Sequence, residues 1–346
     1  MNLPDSLIIR EELRRRIGQV PQVDIGHFPT PLEQCPRLSA VLGGPRIYIK
    51  REDCSGLAFG GNKVRQLAFT IGEAVHRGAD TIVLGAGGSQ SNHCRQAAAA
   101  AARLGLKCYL CLSRDHKSVM QGNLLLDYLA GANVKLVDAP RGPELDAVKY
   151  ALAGELEADG LKPYVIAGPR SNALAAVAFA SCIAEIHEQQ GALGIDADWI
   201  YAAGSAGGTQ AGSILGSKAL GMKLKPVGIA SMRLVDRIER VQIAATDAAK
   251  ILDLDLQIPR EEVHNTDAYV GESYGVLTSE CIEALKLVAQ TEGIFLDAVY
   301  TSKAFAGLID HIRQGKIASD ETVIFLHTGG TPTLFAYSDE FSASLQ

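Results

Sequence analysis

The chain has 346 residues, 47% of them hydrophobic and 21% charged, with a formal net charge of -6. That length holds two domains, or one large domain with an insertion, and the acidic balance argues against a nucleic-acid surface. No run approaches the ~18 apolar residues that span a bilayer, and the first residues show no basic-then-apolar leader. A first helix is expected over Glu11–Ile17, with Arg14, Arg15 and Arg16 on its solvated face. Strand Arg46–Lys50, helix Asn62–Arg77, strand Thr81–Leu84 and helix Ser91–Leu104 follow. Next come strand Lys107–Leu112, helix Asn123–Leu129, strand Val134–Val137, helix Pro143–Ala158 and strand Tyr164–Ile166. The pattern resumes with helix Asn172–Gln189, strand Trp199–Ala203, helix Gln210–Leu220, strand Pro226–Ala230 and helix Val235–Ala248. Helices Gly275–Thr291 and Lys303–Gln314, the latter stopped by Gly315, precede a last strand over Thr322–His327.

Alternating strands and helices predict an α/β fold, with parallel strands covered by helices. The repeats between Asn62 and Ile166 suggest a small α/β domain, residues 62–166. It interrupts a larger domain made of residues 1–61 and 167–346, with a ligand cleft between the two. Seven scattered cysteines, an odd number, predict no disulfide framework and fit a reducing cytoplasm. Cys108 and Cys111 have metal-ligand spacing but lie in an apolar run with no second pair nearby, so buried thiols are expected. His93 and His327 also lack metal-ligand spacing and are expected to be hydrogen-bonded structural residues, with no metal.

Three glycine turns, each between a strand and a helix, carry the chemistry. Gly60-Gly61-Asn62-Lys63 places a lysine at a helix start. Removed from water, its amine loses charge stabilisation, and its lowered pKa suits it to form a Schiff base. A plain surface lysine is the alternative, although it would oppose the helix dipole. The turn Gly85–Asn92 puts Ser91 and Asn92 where backbone N–H groups gather, a place for a substrate carboxylate. Simple N-capping by Ser91, worth about 1 kcal/mol, explains the same residues. The turn Gly204–Thr209 offers backbone amides, the Thr209 hydroxyl and a helix dipole to a single phosphate. It is neither a dinucleotide fingerprint, which disfavours a dehydrogenase, nor a Walker loop.

Around these turns the sequence resembles the 1-aminocyclopropane-1-carboxylate deaminase and D-cysteine desulfhydrase family. Lys50-Arg51-Glu52-Asp53-Cys54 with Gly60–Lys63 carries the likeness, continued by His27–Glu33, Gln90–Gln96 and Gly204–Gly212. Tyr269–Gly275, Leu296–Lys303 and His327–Gly330 extend it, in order, over nearly the whole chain. The resemblance implies a fold type II enzyme dependent on pyridoxal 5'-phosphate, with two open, twisted, mostly parallel sheets flanked by helices. It further implies that Lys63 holds the cofactor, that Asn92 bonds its phenolic oxygen, and that Ala206, Gly207, Gly208 and Thr209 bind its phosphate. Ser91 would meet the substrate carboxylate or assist proton transfer, beside Gln90. Tyr300 and Tyr274 would face cofactor and substrate. A homodimer acting on a small amino acid is implied as well.

Two positions separate the members. Thr301 stands where the deaminases carry glutamate, and Thr328 where they carry leucine. A neutral hydroxyl at the pyridine nitrogen leaves that nitrogen unprotonated and disfavours a long-lived carbanion, so expulsion of a β leaving group becomes easier. Gln66 replaces a basic residue common in the family, and Arg170 stands in a normally glycine-rich segment, solvated or reaching a second anion on the substrate. The expectation is β-elimination from a small β-substituted amino acid, first of all D-cysteine. An L-cysteate lyase, a cyclopropane-opening deaminase and a catalytically silent cofactor-binding protein are the alternatives.

Overall fold

A computed structural model describes residues 8–204 and 207–345. Among the described residues, ten strands form two sheets. The first combines β1 (Leu32–Gln34), β2 (Arg46–Lys50), β7 (Trp199–Gly204), β8 (Lys225–Ala230), β9 (His264–Thr266) and β10 (Thr322–Leu326). Its order is β1-β2-β10-β7-β8-β9, and only β1 runs antiparallel to its neighbour. The second sheet is wholly parallel, in the order β5-β4-β3-β6. It comprises β3 (Thr81–Ala86), β4 (Lys107–Ser113), β5 (Asn133–Val137) and β6 (Pro163–Val165). Parallel strands need covering helices, and the nearly continuous apolar runs Ile82–Leu84 and Val323–Leu326 are buried as that arrangement demands.

One helix ties the halves together. Gly168–Leu193, whose Pro169 occupies the first turn, packs against the helices Asn62–His76, Gly208–Ala219 and Arg237–Ile251. Its contact with Gly208–Ala219 is close because a small residue permits it: a Cβ on Gly212 would lie 2.2 Å from the Ala176 carbonyl oxygen. The apolar core runs without a break from Ile82 and Leu110, under the second sheet, through Leu174 and Val177 to Ile214 and Val241. Cys108 and Cys111 are buried in β4, and burial pushes both thiols up, away from the reactive thiolate.

Parallel strands place their C-terminal ends on one rim, where ligand sites of open α/β sheets lie. The turns after β2, β3, β7 and β10 all belong to that rim, and all four carry expected site residues. The helix-to-strand turns at the opposite rim, such as those at Gly105 and Gly160, carry none.

Candidate active site

Lys63 is the second residue of the helix Asn62–His76, which starts directly after the turn at Gly60 and Gly61. Gly61 has a φ of +128°, and a Cβ there would fall 2.5 Å from Gln96 Nε2 and 3.0 Å from the Thr328 carbonyl oxygen. Only a bare backbone fits in that space. The Asn62 N–H donates to the Thr328 carbonyl at 3.0 Å, fixing the helix start against the turn after β10. Lys63 Nζ donates to Gln66 Oε1 at 2.9 Å. Burial, helped by the positive charge of Arg141, brings the Lys63 amine down to about 8, so a sizeable fraction is neutral near physiological pH.

The helix start expected to take a phosphate is bonded to the helix that carries Lys63. Gly207 has a φ of +96° and opens the helix Gly208–Ala219. Thr209 Oγ1 accepts from Asn62 Nδ2 and from Gln66 Nε2, both at 3.1 Å. With its acceptor side occupied, the hydroxyl proton is left to donate outward, beside the free N–H groups of a helix start. Gln66 therefore joins the lysine to the cradle, a role the sequence did not disclose. Ala206 lies outside the described residues.

Asn92, at the start of the helix Asn92–Leu104, is held at its oxygen. Oδ1 accepts from Arg95 Nη1 and Asn123 Nδ2, each at 2.9 Å. Both partners are donors, which fixes the amide orientation. Its Nδ2 donates to no group among the described residues, and it faces the turn at Gly330, where a Cβ would lie 2.9 Å away. Ser91 caps the same helix, accepting from the Cys94 N–H at 3.2 Å, and keeps its own proton to give. Gln90 is placed differently from a direct ligand. Its amide donates to the Lys117 and Gln121 carbonyls and accepts from the Asn123 N–H, which braces the turn.

Tyr300 and Tyr274 meet hydroxyl to hydroxyl at 2.5 Å. Burial pushes the Tyr300 hydroxyl up, outweighing the Tyr274 bond and the Arg141 charge that pull it down. It stays protonated at neutral pH. Lys303, which is fully buried, donates to the Val270 and Ser273 carbonyls and so pins the loop that carries Tyr274. The two threonines part company. Thr301 is buried, its hydroxyl donating to Asp297 Oδ1 at 2.7 Å and accepting from the Asp297 N–H at 2.6 Å. The Thr328 hydroxyl has no protein partner among the described residues.

His327 behaves as expected, bonded at Nε2 to the Phe295 carbonyl at 3.0 Å and at Nδ1 to the Gly329 N–H at 3.1 Å. His93 does not. Its Nε2 is buried with no partner, and burial, reinforced by the charge on Lys63, brings the imidazole down to about 3. It is a neutral ring beside the lysine. Arg170 donates to Glu73 at 3.0 Å with its side chain 48% exposed, so it is a paired surface residue. Among the described residues, no cluster of His, Cys, Asp and Glu has the makings of a metal site.

The parts fit a phosphorylated pyridine aldehyde: an easily deprotonated lysine, a phosphate cradle bonded to the lysine's own helix, and a fixed amide donor with nothing yet to bond. Such a site has the parts of an enzyme that uses a cofactor of that kind. The family model described as "pyridoxal-phosphate dependent enzyme" matches residues 23–329. The chain belongs to that family, and pyridoxal phosphate is its cofactor. It is 39% identical over 331 residues to the D-cysteine desulfhydrase of Serratia proteamaculans (strain 568), covering 94% of this chain and 98% of that one. It is 40% identical over 327 residues to the D-cysteine desulfhydrase of Salmonella schwarzengrund (strain CVM19633), covering 93% and 97%. Among solved structures, an ACC deaminase homologue superposes with a TM-score of 0.87 at 33% identity, covering 96% of this chain and 98% of that one. The processed form of threonine deaminase isoform 2 from Solanum lycopersicum shares the fold. It is 19% identical with a TM-score of 0.63, covering 95% of this chain and 87% of that one.

Proposed function

We propose that the chain is a carbon–sulfur lyase that removes the β-substituent of a small amino acid, with D-cysteine as the first substrate to try. In that reaction cysteine and water give pyruvate, ammonium and hydrogen sulfide. The observation that carries the reading is the Lys63–Gln66–Thr209 chain, which sets an easily deprotonated amine at a fixed reach from a phosphate cradle. The desulfhydrases at 39–40% identity support the choice of reaction.

Pyridoxal phosphate, when bound, supplies the electron sink that makes the Cα proton acidic. Around it, Gly207, Gly208 and Thr209, with Ala206, would hold the phosphate, and Asn92 would donate its unused N–H to the phenolic oxygen. Thr328, whose hydroxyl has no protein partner among the described residues, would meet the ring nitrogen. Thr301 acts at one remove, by holding Asp297 and the turn that carries Tyr300. A neutral partner for that nitrogen would favour prompt loss of a leaving group over ring opening. Ser91 and the N–H groups of its helix receive the substrate carboxylate, with Gln90 keeping the turn in shape. Neutral Lys63 takes the Cα proton onto Nζ. Tyr300, held by Tyr274 and protonated at neutral pH, gives a proton to the departing thiolate. The released enamine hydrolyses in water.

Comparing D-cysteine, L-cysteate and 1-aminocyclopropane-1-carboxylate tests this reading. Sulfide and pyruvate from D-cysteine are expected, with both lost in Lys63→Ala along with the cofactor's visible absorbance. Release of 2-oxobutanoate from the cyclopropane as the main activity would overturn it. We propose in addition that residues 62–166 form a unit inserted into the rest, because β3 to β6 make a sheet of their own. The enzyme is proposed to be a cytoplasmic homodimer. Exposed Val119, Met120, Leu129 and Phe335, on neighbouring segments, support a self-association face.

A further inference from the structure

Gln66 is held less strictly than two other amides at the site. The Asn92 oxygen faces the guanidinium of Arg95, and the Gln90 nitrogen faces the Lys117 and Gln121 carbonyls. A guanidinium cannot accept and a carbonyl cannot donate, so each of those amides has one orientation. Gln66 Oε1 instead faces Lys63 Nζ at 2.9 Å, and its Nε2 faces Thr209 Oγ1 at 3.1 Å. A neutral amine and a hydroxyl can each donate or accept. The Gln66 side chain bonds nothing else among the described residues, and the residue is 4% exposed. Those two partners therefore decide how the amide sits.

In the orientation the structure shows, Lys63 gives an N–H to Oε1 and keeps the lone pair of its neutral amine unspent. Thr209 receives from Gln66 Nε2 and from Asn62 Nδ2, each at 3.1 Å, so its own proton is turned outward into the cradle. Rotated by half a turn, the amide would donate to the amine's lone pair and accept the Thr209 proton. The amine would then be blocked, and the cradle would lose its hydroxyl donor. One planar group carries both ends, so the two cannot be set independently. An anion in the cradle needs the Thr209 proton and thereby selects the orientation that leaves Lys63 open.

We propose that Gln66 is a positioning residue that makes the reactivity of Lys63 depend on an anion in the phosphate cradle. This rests on the placement of Lys63 and Thr209 proposed above and adds an order to it, phosphate first and lysine second. When Lys63 captures an aldehyde, its lone pair forms the carbon–nitrogen bond, and the carbonyl oxygen leaves as water with the two amine protons. An aldehyde without an anionic arm meets an amine whose lone pair is partly tied up, so Lys63 discriminates against stray aldehydes. When substrate frees the lysine, the amine returns to Oε1 with its lone pair open for the Cα proton. A cation at position 66 could serve the cradle but could take no N–H from Lys63. An apolar residue could do neither.

The full chain, stripped of cofactor, is offered 3-hydroxypyridine-4-carbaldehyde, a ring with no arm to reach the cradle. Capture is followed by absorbance and placed on Lys63 by borohydride reduction and peptide mass. At about pH 9.5 an amine brought down to about 8 is mostly neutral, so a change in its protonation counts for little. Inorganic phosphate, against chloride at equal ionic strength, should speed capture about fivefold more in the native chain than in Gln66→Met. Gln66→Glu, which can only accept, and Thr209→Val should lose the extra acceleration as well. An equal effect of phosphate on the native chain and Gln66→Met would mean that phosphate acts by its charge alone, and the proposal falls. Capture slowed in Gln66→Met by one factor, with and without phosphate, would make Gln66 a packing residue and sink it too. If pyridoxal phosphate itself leaves no adduct on Lys63, the cofactor placement fails. If that adduct forms and the phosphate dependence is absent, only the role of Gln66 fails.

Discussion

Thr301 and Thr328 look alike in sequence and differ in what their hydroxyls have left to bond. Thr301 gives and receives a bond within the Asp297 turn, whose carboxylate also takes the Val299 and Tyr300 N–H groups. Thr301→Ala is therefore expected to lower stability by about 1–3 kcal/mol, seen in urea unfolding, with Thr301→Ser near the native value. Thr328→Ala should leave stability within about 1 kcal/mol and instead shift the cofactor's absorbance and weaken its binding. The reverse pattern would exchange the two assignments. Lys63, Asn92 and Thr209 were legible in the sequence because each follows a glycine turn at a helix start. Gln66, Asn123 and Asp297 were not. Gln66 works through Thr209, 143 residues away. Such partnerships leave no local signature, and a lone glutamine is an ordinary surface residue by composition.

The helix Gly208–Ala219 carries the cradle and is seated by Gly212. A Cβ at 2.2 Å from a backbone oxygen has no soft neighbour to push aside. Gly212→Ala is expected to cost about 1–3 kcal/mol and to weaken cofactor binding, because the helix start must shift with the helix. Gly154, exposed within the helix Pro143–Ala158, meets nothing within 4 Å and is the control. Gly154→Ala should gain up to about 1 kcal/mol and leave cofactor affinity alone. A Gly212→Ala protein as stable as the native one would refute the seating argument. Most elements could be read from hydrophobic pattern, and helix Pro143–Ala158 and strand Arg46–Lys50 match to the residue. The strands Leu32–Gln34 and His264–Thr266 were missed, since three mostly polar residues at a sheet edge are too few to show an apolar alternation. The helix expected from Gly275 begins at Ser279, because Thr278 accepts from the Cys281 N–H and caps it there.

Stability of the whole molecule should carry the mark of Asp127. Both its carboxyl oxygens are buried without a partner. Burial pushes the acid up to about 8, against the pull of Arg95. An acid raised in the folded state keeps its proton where the unfolded chain has lost it, so stability falls as pH rises from about 4 towards 8. The urea midpoint of the native protein should fall between pH 6 and pH 8.5, and the fall should be smaller in Asp127→Asn. An equal fall in the variant would show that the acid is paired or ionised in the folded protein. Parallel strands covered by helices were foreseeable from the alternating pattern, and two sheets from the family resemblance. The unbroken core that joins the sheets was not, because it depends on which faces of the helix Gly168–Leu193 meet which neighbours. Gathering the chemistry on one rim also leaves the other free for the engineer. The tight corner at Gly160, with open solvent where a side chain would stand, is a natural splice point for a fluorescent reporter or an affinity handle. Fixed to a bead by that corner, the catalyst would turn its mouth to the medium.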